Sequence, residues 1–222
     1  HLGVPSLNVG YGSANGIYHS LYDTYYYYQR FGDPGYKYGV AQADMVGRMV
    51  MRLANADILP FDFTSASGVI AGYVDELVAM DEGGLLRDEL REIGAANAAM
   101  RVAATETNGV LARLLGGAAA SAEQNRSAVD QVNALIMRAE PDMIDERGLW
   151  RRPWYRNLIY APGYYEGYAA KTLPGVREPM EDGAWEVART QAGMLVEALE
   201  RVTLALTEAG TVARAATTRV IS

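Results

Sequence analysis

The sequence predicts a mainly α protein: a bundle of about four helices, preceded by a short piece of strand, loop and connecting helix. Three observations predict it. From about residue 34 onward, apolar residues recur at spacings of three and four. Alanine, the residue with the lowest helix cost, is abundant, and half of the 222 residues are apolar. Clusters of glycine and proline fall mostly between the periodic segments. A chain of this length can bury a substantial core in one domain or in two small ones.

The elements follow in order. Residues 2–11, "LGVPSLNVGY", space Val4, Leu7, Val9 and Tyr11 with turn residues and suit a short strand that Pro5 makes irregular. Residues 12–16 are loop chemistry. "FGDPG" supplies a helix start, with Asp33 as N-cap and Pro34 at the first helical position. Val40, Ala43, Val46, Val50 and Leu53 then mark one face of a helix over 34–57. "DILPFDF" interrupts it. Thr64 or Ser65 caps a second helix through Met80, with Ile70, Tyr73, Leu77 and Val78 inward, and "DEGG" ends it. Residues 85–115 and 122–140 read as two amphipathic helices separated by "GGAAAS".

The stretch 145–179, "DERGLWRRPWYRNLIYAPGYYEGYAAKTLPGVREP", has little periodicity and much Pro, Gly, Tyr, Trp and Arg. It reads as a long ordered loop, and such loops tend to be functional. A last helix over 182–208 places Val187, Met194, Leu195, Leu199, Val202 and Leu206 on one side.

Composition narrows the function. A formal net charge of −7 argues against a surface that tracks nucleic-acid phosphates. The absence of cysteine removes disulfides and thiolate metal sites. No apolar run approaches the ~18–20 residues of a membrane span. The opening "HLGVPSLNVGYGS" reads as the middle of a longer protein, so the lack of a signal peptide carries no information.

His19 is one of two histidines in the chain, in a tyrosine-rich stretch, "GIYHSLYDTYYYYQRFGDP". One imidazole alone does not make a metal site, and a partly buried histidine satisfied by backbone is the plain alternative. Asp23 lies four residues on and would meet it if the segment were helical. The run Tyr25–Tyr28 suits an aromatic cluster buried between subdomains more than a catalytic box. Arg147, Arg151, Arg152 and Arg156 suit either an anionic ligand or stacking on aromatic faces. There is no Gly-rich phosphate loop and no nucleophile elbow. The residues by themselves leave the chemistry open.

The segment "GIYHSLYDTYYYYQRFGDPGYKYGVAQADMVGRMVMRLANADILPFDF" closely resembles the glutamate carboxypeptidase II family of co-catalytic zinc peptidases, which share a body plan with the transferrin receptor. "RRPWYRNLIYAPGYYEGYAAKTLPGV" is similar to that family's "RPFYRHVIYAP" followed by "KYAGESFPG". The resemblance covers essentially the whole chain. It implies that 1–57 is the end of a zinc-peptidase domain and 58–222 a helical dimerisation domain forming homodimers. It implies that His19 is a terminal ligand to one of two zinc ions. It likewise implies that Tyr18 lines the pocket for the substrate's C-terminal residue and that Tyr168 reaches the substrate carboxylate. The other ligands and the general base would precede this chain, so no catalytic residue is expected within it and the fragment alone is expected to be inactive. An extracytoplasmic location follows from the same resemblance.

Two departures bear on substrate. The family's lysine before the carboxylate-binding tyrosine is Gly167 here, and its arginine patch falls near Asn8 and Gly10. Both cationic anchors for acidic peptides are therefore missing. Two other classes stand beside the peptidase reading: a non-catalytic, transferrin-receptor-like dimeric scaffold, and a bare helical interaction module. Retention of His19 favours the first reading over the scaffold.

Overall fold

The helices expected from periodicity form. The computed structural model describes residues 3–12, 16–116 and 125–219. We label the helices α1 (Lys37–Ala54), α2 (Phe63–Met80), α3 (Arg87–Gly116), α4 (Arg126–Met137), α5 (Ala139–Asp142), α6 (Pro174–Glu181) and α7 (Trp185–Arg219). Two short strands, β1 (Tyr160–Pro162) and β2 (Ala170–Thr172), pair antiparallel, with Ala161 opposite Lys171. Most of the expected "GGAAAS" linker and residues 122–124 of the following helix lie outside the described residues. The chain divides into two compact units, Ser6–Pro60 and the residues from Phe61 onward together with 3–5.

The core of the larger unit is a seam between α3 and α7. Leu90, Ile93, Asn97, Met100, Ala104, Thr107, Leu111 and Leu114 are buried on α3, at alternating spacings of three and four. On α7 the same alternation buries Ala188, Ala192, Leu195, Leu199, Val202, Leu206, Ala209, Ala213 and Ala216. This 3.5-residue spacing keeps both stripes facing one another over many turns. The helices run parallel: the Arg189 guanidinium lies 3.1 Å from Glu89, and the Thr107 hydroxyl donates to the Leu206 carbonyl at 2.8 Å. The alanines allow close approach. A Cβ added at Gly210 would lie 2.8 Å from the Thr107 hydroxyl, which accounts for a glycine inside a helix where it costs ~1 kcal/mol against alanine.

α2 packs against α3 through Phe63, Ile70, Val74 and Leu77. Ser67 and Asn97 bind one another's backbone: the hydroxyl donates to Asn97 O at 3.2 Å and the amide to Ser67 O at 2.9 Å. α4 covers α7 from another side with Val129, Val132 and Ile136.

Several expectations need correction. Residues 3–12 hold no strand, because among the described residues no second strand offers them a ladder; the Val9 carbonyl instead accepts the Gln42 side-chain amide at 2.7 Å. Asp33 is not the N-cap of α1: Tyr36, at φ +58°, precedes the first turn. The buried Asp33 carboxylate still caps that turn from upstream, accepting the amides of Tyr38 at 3.0 Å and Gly39 at 2.9 Å. Val40, Val50 and Leu53, which mark the apolar face of that helix, are exposed. The cap of α2 is Asp62, which accepts Thr64 N and Ser65 N, and Val78 is exposed where Val74 is buried. The stretch 145–179 is not one loop: it contains the β1–β2 hairpin and most of α6. The last helix begins at Trp185 and continues to Arg219.

Candidate functional site

The smaller unit carries Tyr18 and His19 on a series of tight turns. Ser20 N donates to Ile17 O at 2.9 Å, Asp23 N to Ser20 O at 3.1 Å, and Tyr22 N to the Ser20 hydroxyl at 3.1 Å. The segment is not helical, so the local spacing that would have joined Asp23 to the imidazole does not apply. His19 sits at φ +63°, a left-handed conformation that costs an L-residue ~1–2 kcal/mol. Strain of this kind clusters where a side chain must be aimed. The imidazole is exposed, and its centroid lies 3.9 Å from that of Tyr18. The turn thus presents an exposed imidazole on a constrained backbone.

The tyrosine run beyond it is on the surface rather than buried, and Tyr25, Tyr26 and Tyr28 are all exposed. Its hydroxyls are engaged along the chain: Tyr25 with Tyr36 at 2.5 Å, and Tyr28 donating to Asp33 at 3.2 Å. Burial by itself would push the Asp33 carboxyl up. The amides of Gly39 and Tyr38 and the Tyr28 hydroxyl outweigh it, and the group lies below the ordinary carboxylate range.

Tyr168 belongs to the larger unit, on the seven-residue loop 163–169 between β1 and β2, and is 83% exposed. The loop is internally closed. Gly163 N donates to Ala169 O and Gly167 N to Gly163 O, both at 2.9 Å. Gly167 takes φ +66°, which glycine adopts without penalty. At the loop's flanks, Tyr165 OH donates to Asp182 at 3.0 Å, and Lys171 Nζ lies 2.7 Å from Glu181. The cation three residues past Tyr168 therefore already has an acidic partner.

Arg151 and Arg152 take opposite roles. Arg151 stacks on Trp150, 3.8 Å from the ring centroid, and pairs with Asp182 at 2.7 Å. Arg152 is buried, and its Nη2 donates to both carboxylate oxygens of Glu178 at 2.7 and 2.6 Å. Arg147 bonds Asp145 and Glu197, and the Arg147 contacts hold the Asp145 carboxyl below its usual range. Arg147, Arg151 and Arg152 are thus matched by carboxylates, and Arg151 and Arg152 also lie over the faces of Trp150 and Tyr155. Sequence reasoning missed Glu178 and Glu181. The one available signal was the three acids of "VREPMED" near an arginine-rich segment.

Among the described residues, no group of three or more His, Asp or Glu could hold a metal ion. The exposed His19 imidazole could serve as a single donor to a metal ion. No helix among the described residues is long and apolar enough to cross a membrane.

Comparison with known proteins adds a family. The model described as "Transferrin receptor-like dimerisation domain" matches residues 88–207, the span from α3 into α7. A probable glutamate carboxypeptidase of Arabidopsis thaliana is 28% identical over 93% of this chain and 30% of its own length. A probable glutamate carboxypeptidase of Arthroderma benhamiae is 31% identical over 93% of this chain and 28% of its own. An aminopeptidase of Rattus norvegicus is 24% identical over 82% of this chain and 25% of its own. The chain thus spans less than a third of the length of these relatives.

Proposed function

The chain belongs to the transferrin receptor-like dimerisation domain family, and from that premise we propose that it is the C-terminal part of a two-zinc exopeptidase of the glutamate carboxypeptidase II type. The observation that carries the reading is the extent of the similarity. Matches to two probable glutamate carboxypeptidases cover 93% of the chain, and a match of that extent runs through both units. In this reading residues 1–57 end the peptidase domain, and 58–222 pair with a second copy to form a homodimer. The location is extracytoplasmic, and the substrate is a peptide bound at one terminus.

His19 supplies one imidazole to zinc, aimed by its left-handed backbone. Tyr18, its ring tilted 51° against the imidazole, lines the pocket for the terminal residue. Tyr168, on the closed 163–169 loop, donates its phenol to the substrate carboxylate. Zinc, where bound, would polarise the scissile carbonyl. In this reading the remaining donors and the general base lie outside this chain, which by itself is expected to be inactive.

The test is metal content and hydrolysis in the complete protein. Wild type should carry two zinc ions and cleave dipeptides, and His19→Ala should lower both. A zinc-free wild type that folds and dimerises would instead mark a non-catalytic scaffold. A His19→Ala variant with undiminished zinc and turnover would overturn the role of His19.

A further inference from the structure

The buried pair Arg152–Glu178 lies at the root of the hairpin that carries Tyr168. The two side chains are 3% and 7% exposed. Such a pair is an expensive way to fill space, since two desolvated charges are often no better than apolar residues of similar volume. What distinguishes this one is where its remaining hydrogen bonds go. Arg152 Nη1 donates to the carbonyl of Pro162, the last residue of β1. Glu178 Oε1 accepts the amide of Tyr164 at 2.8 Å. The pair therefore grips the backbone on both sides of Gly163, where the strand turns into the loop. Gly163 in turn accepts the amide of Gly167 and donates to the carbonyl of Ala169, the two residues that flank Tyr168. A continuous set of hydrogen bonds joins α6, through Glu178, to the backbone on either side of Tyr168.

We infer that Arg152 and Glu178 are positioning residues for Tyr168, fixing the loop in the register in which its phenol meets substrate. The inference rests on the role proposed for Tyr168 above. Removing the carboxylate charge should free the loop and weaken substrate binding, while groups elsewhere that carry out bond cleavage keep their places.

The experiment is a double-mutant cycle in the complete peptidase, combining Glu178→Gln with Tyr168→Phe and reading KM and kcat separately, with amide hydrogen exchange alongside. Glu178→Gln should raise KM about tenfold with kcat within about twofold. It should also speed exchange at Tyr164 and Gly167 without affecting the α7 core amides. Adding Tyr168→Phe should then cost little more, because a misplaced phenol has little left to lose. Arg152→Lys retains a positive charge with fewer donors, so it should give a partial version of the same KM effect; it carries the test if Glu178→Gln does not fold. Fully additive KM effects, or faster exchange spread evenly through α7, would overturn the inference and leave Tyr168 in place. An unchanged KM in Tyr168→Phe alone would instead remove the role of Tyr168, and the inference with it.

Discussion

Gly148→Ala tests how tightly the turn that carries Arg152 is built. Gly148 has φ +69°, and an added Cβ would lie 2.2 Å from Pro153 O and 2.5 Å from Pro153 Cα. Ordinary contact begins near 3.4 Å, so backbone must move by about 1 Å. That backbone is tied down: Leu149 N donates to Tyr155 O at 2.8 Å, and the Gln191 amide donates to Gly148 O at 3.2 Å. Placing alanine in the left-handed region costs ~1–2 kcal/mol, and two disrupted hydrogen bonds cost ~1 kcal/mol each, for a total of ~3–4 kcal/mol. Gly183→Ala is the control. Gly183 has φ +70° and nothing within 4 Å of the added Cβ, so only the conformational ~1–2 kcal/mol applies. Urea unfolding followed by helical circular dichroism reads both. A difference of about 2 kcal/mol between the variants is expected. Equal destabilisation would show that the turn relaxes freely and does not fix Arg152.

Three further outcomes follow from the structure. The Ser65 and Thr64 hydroxyls hold the Asp62 carboxyl down to about 2, against an ordinary 3.8. Its contribution to stability is therefore complete above about pH 4 and lost as pH falls toward 2, and Asp62→Asn should flatten that part of an acid-unfolding curve. With Lys171 already paired to Glu181, Lys171→Ala in the complete peptidase should leave the ratio of turnover on dipeptides ending in glutamate and in leucine within about threefold; a selective loss on glutamate would show that this ammonium serves the substrate. Light scattering at high micromolar concentration should give the mass of a dimer for the 222-residue chain, and a strict monomer would count against residues 58–222 as a self-sufficient dimerisation domain.

The long helices were legible in the sequence because helical periodicity is local information. Spacings of three and four through Leu195, Leu199, Val202 and Leu206 need no partner to be read. The residue types proposed for the site, Tyr18, His19 and Tyr168, were legible through motifs, but not their backbone: nothing in "YHS" announces that His19 lies at φ +63°. The tertiary structure decided what depends on distant segments. Alanines 188, 192, 209 and 213 line a core only because α3 lies alongside, and Gly210 is explained only by Thr107. The hairpin of two three-residue strands carries too little alternation to be detected, and α6 contains Pro179, which sequence rules read as a break. Arg152 and Arg151 are adjacent and chemically identical in the sequence, yet one is buried against Glu178, 26 residues away, and the other stacks at the surface. Which of two neighbouring charges is withdrawn from water is settled by the segments that close over it, because the desolvation cost of an ion is met only where its counter-ion and hydrogen-bond acceptors converge in space.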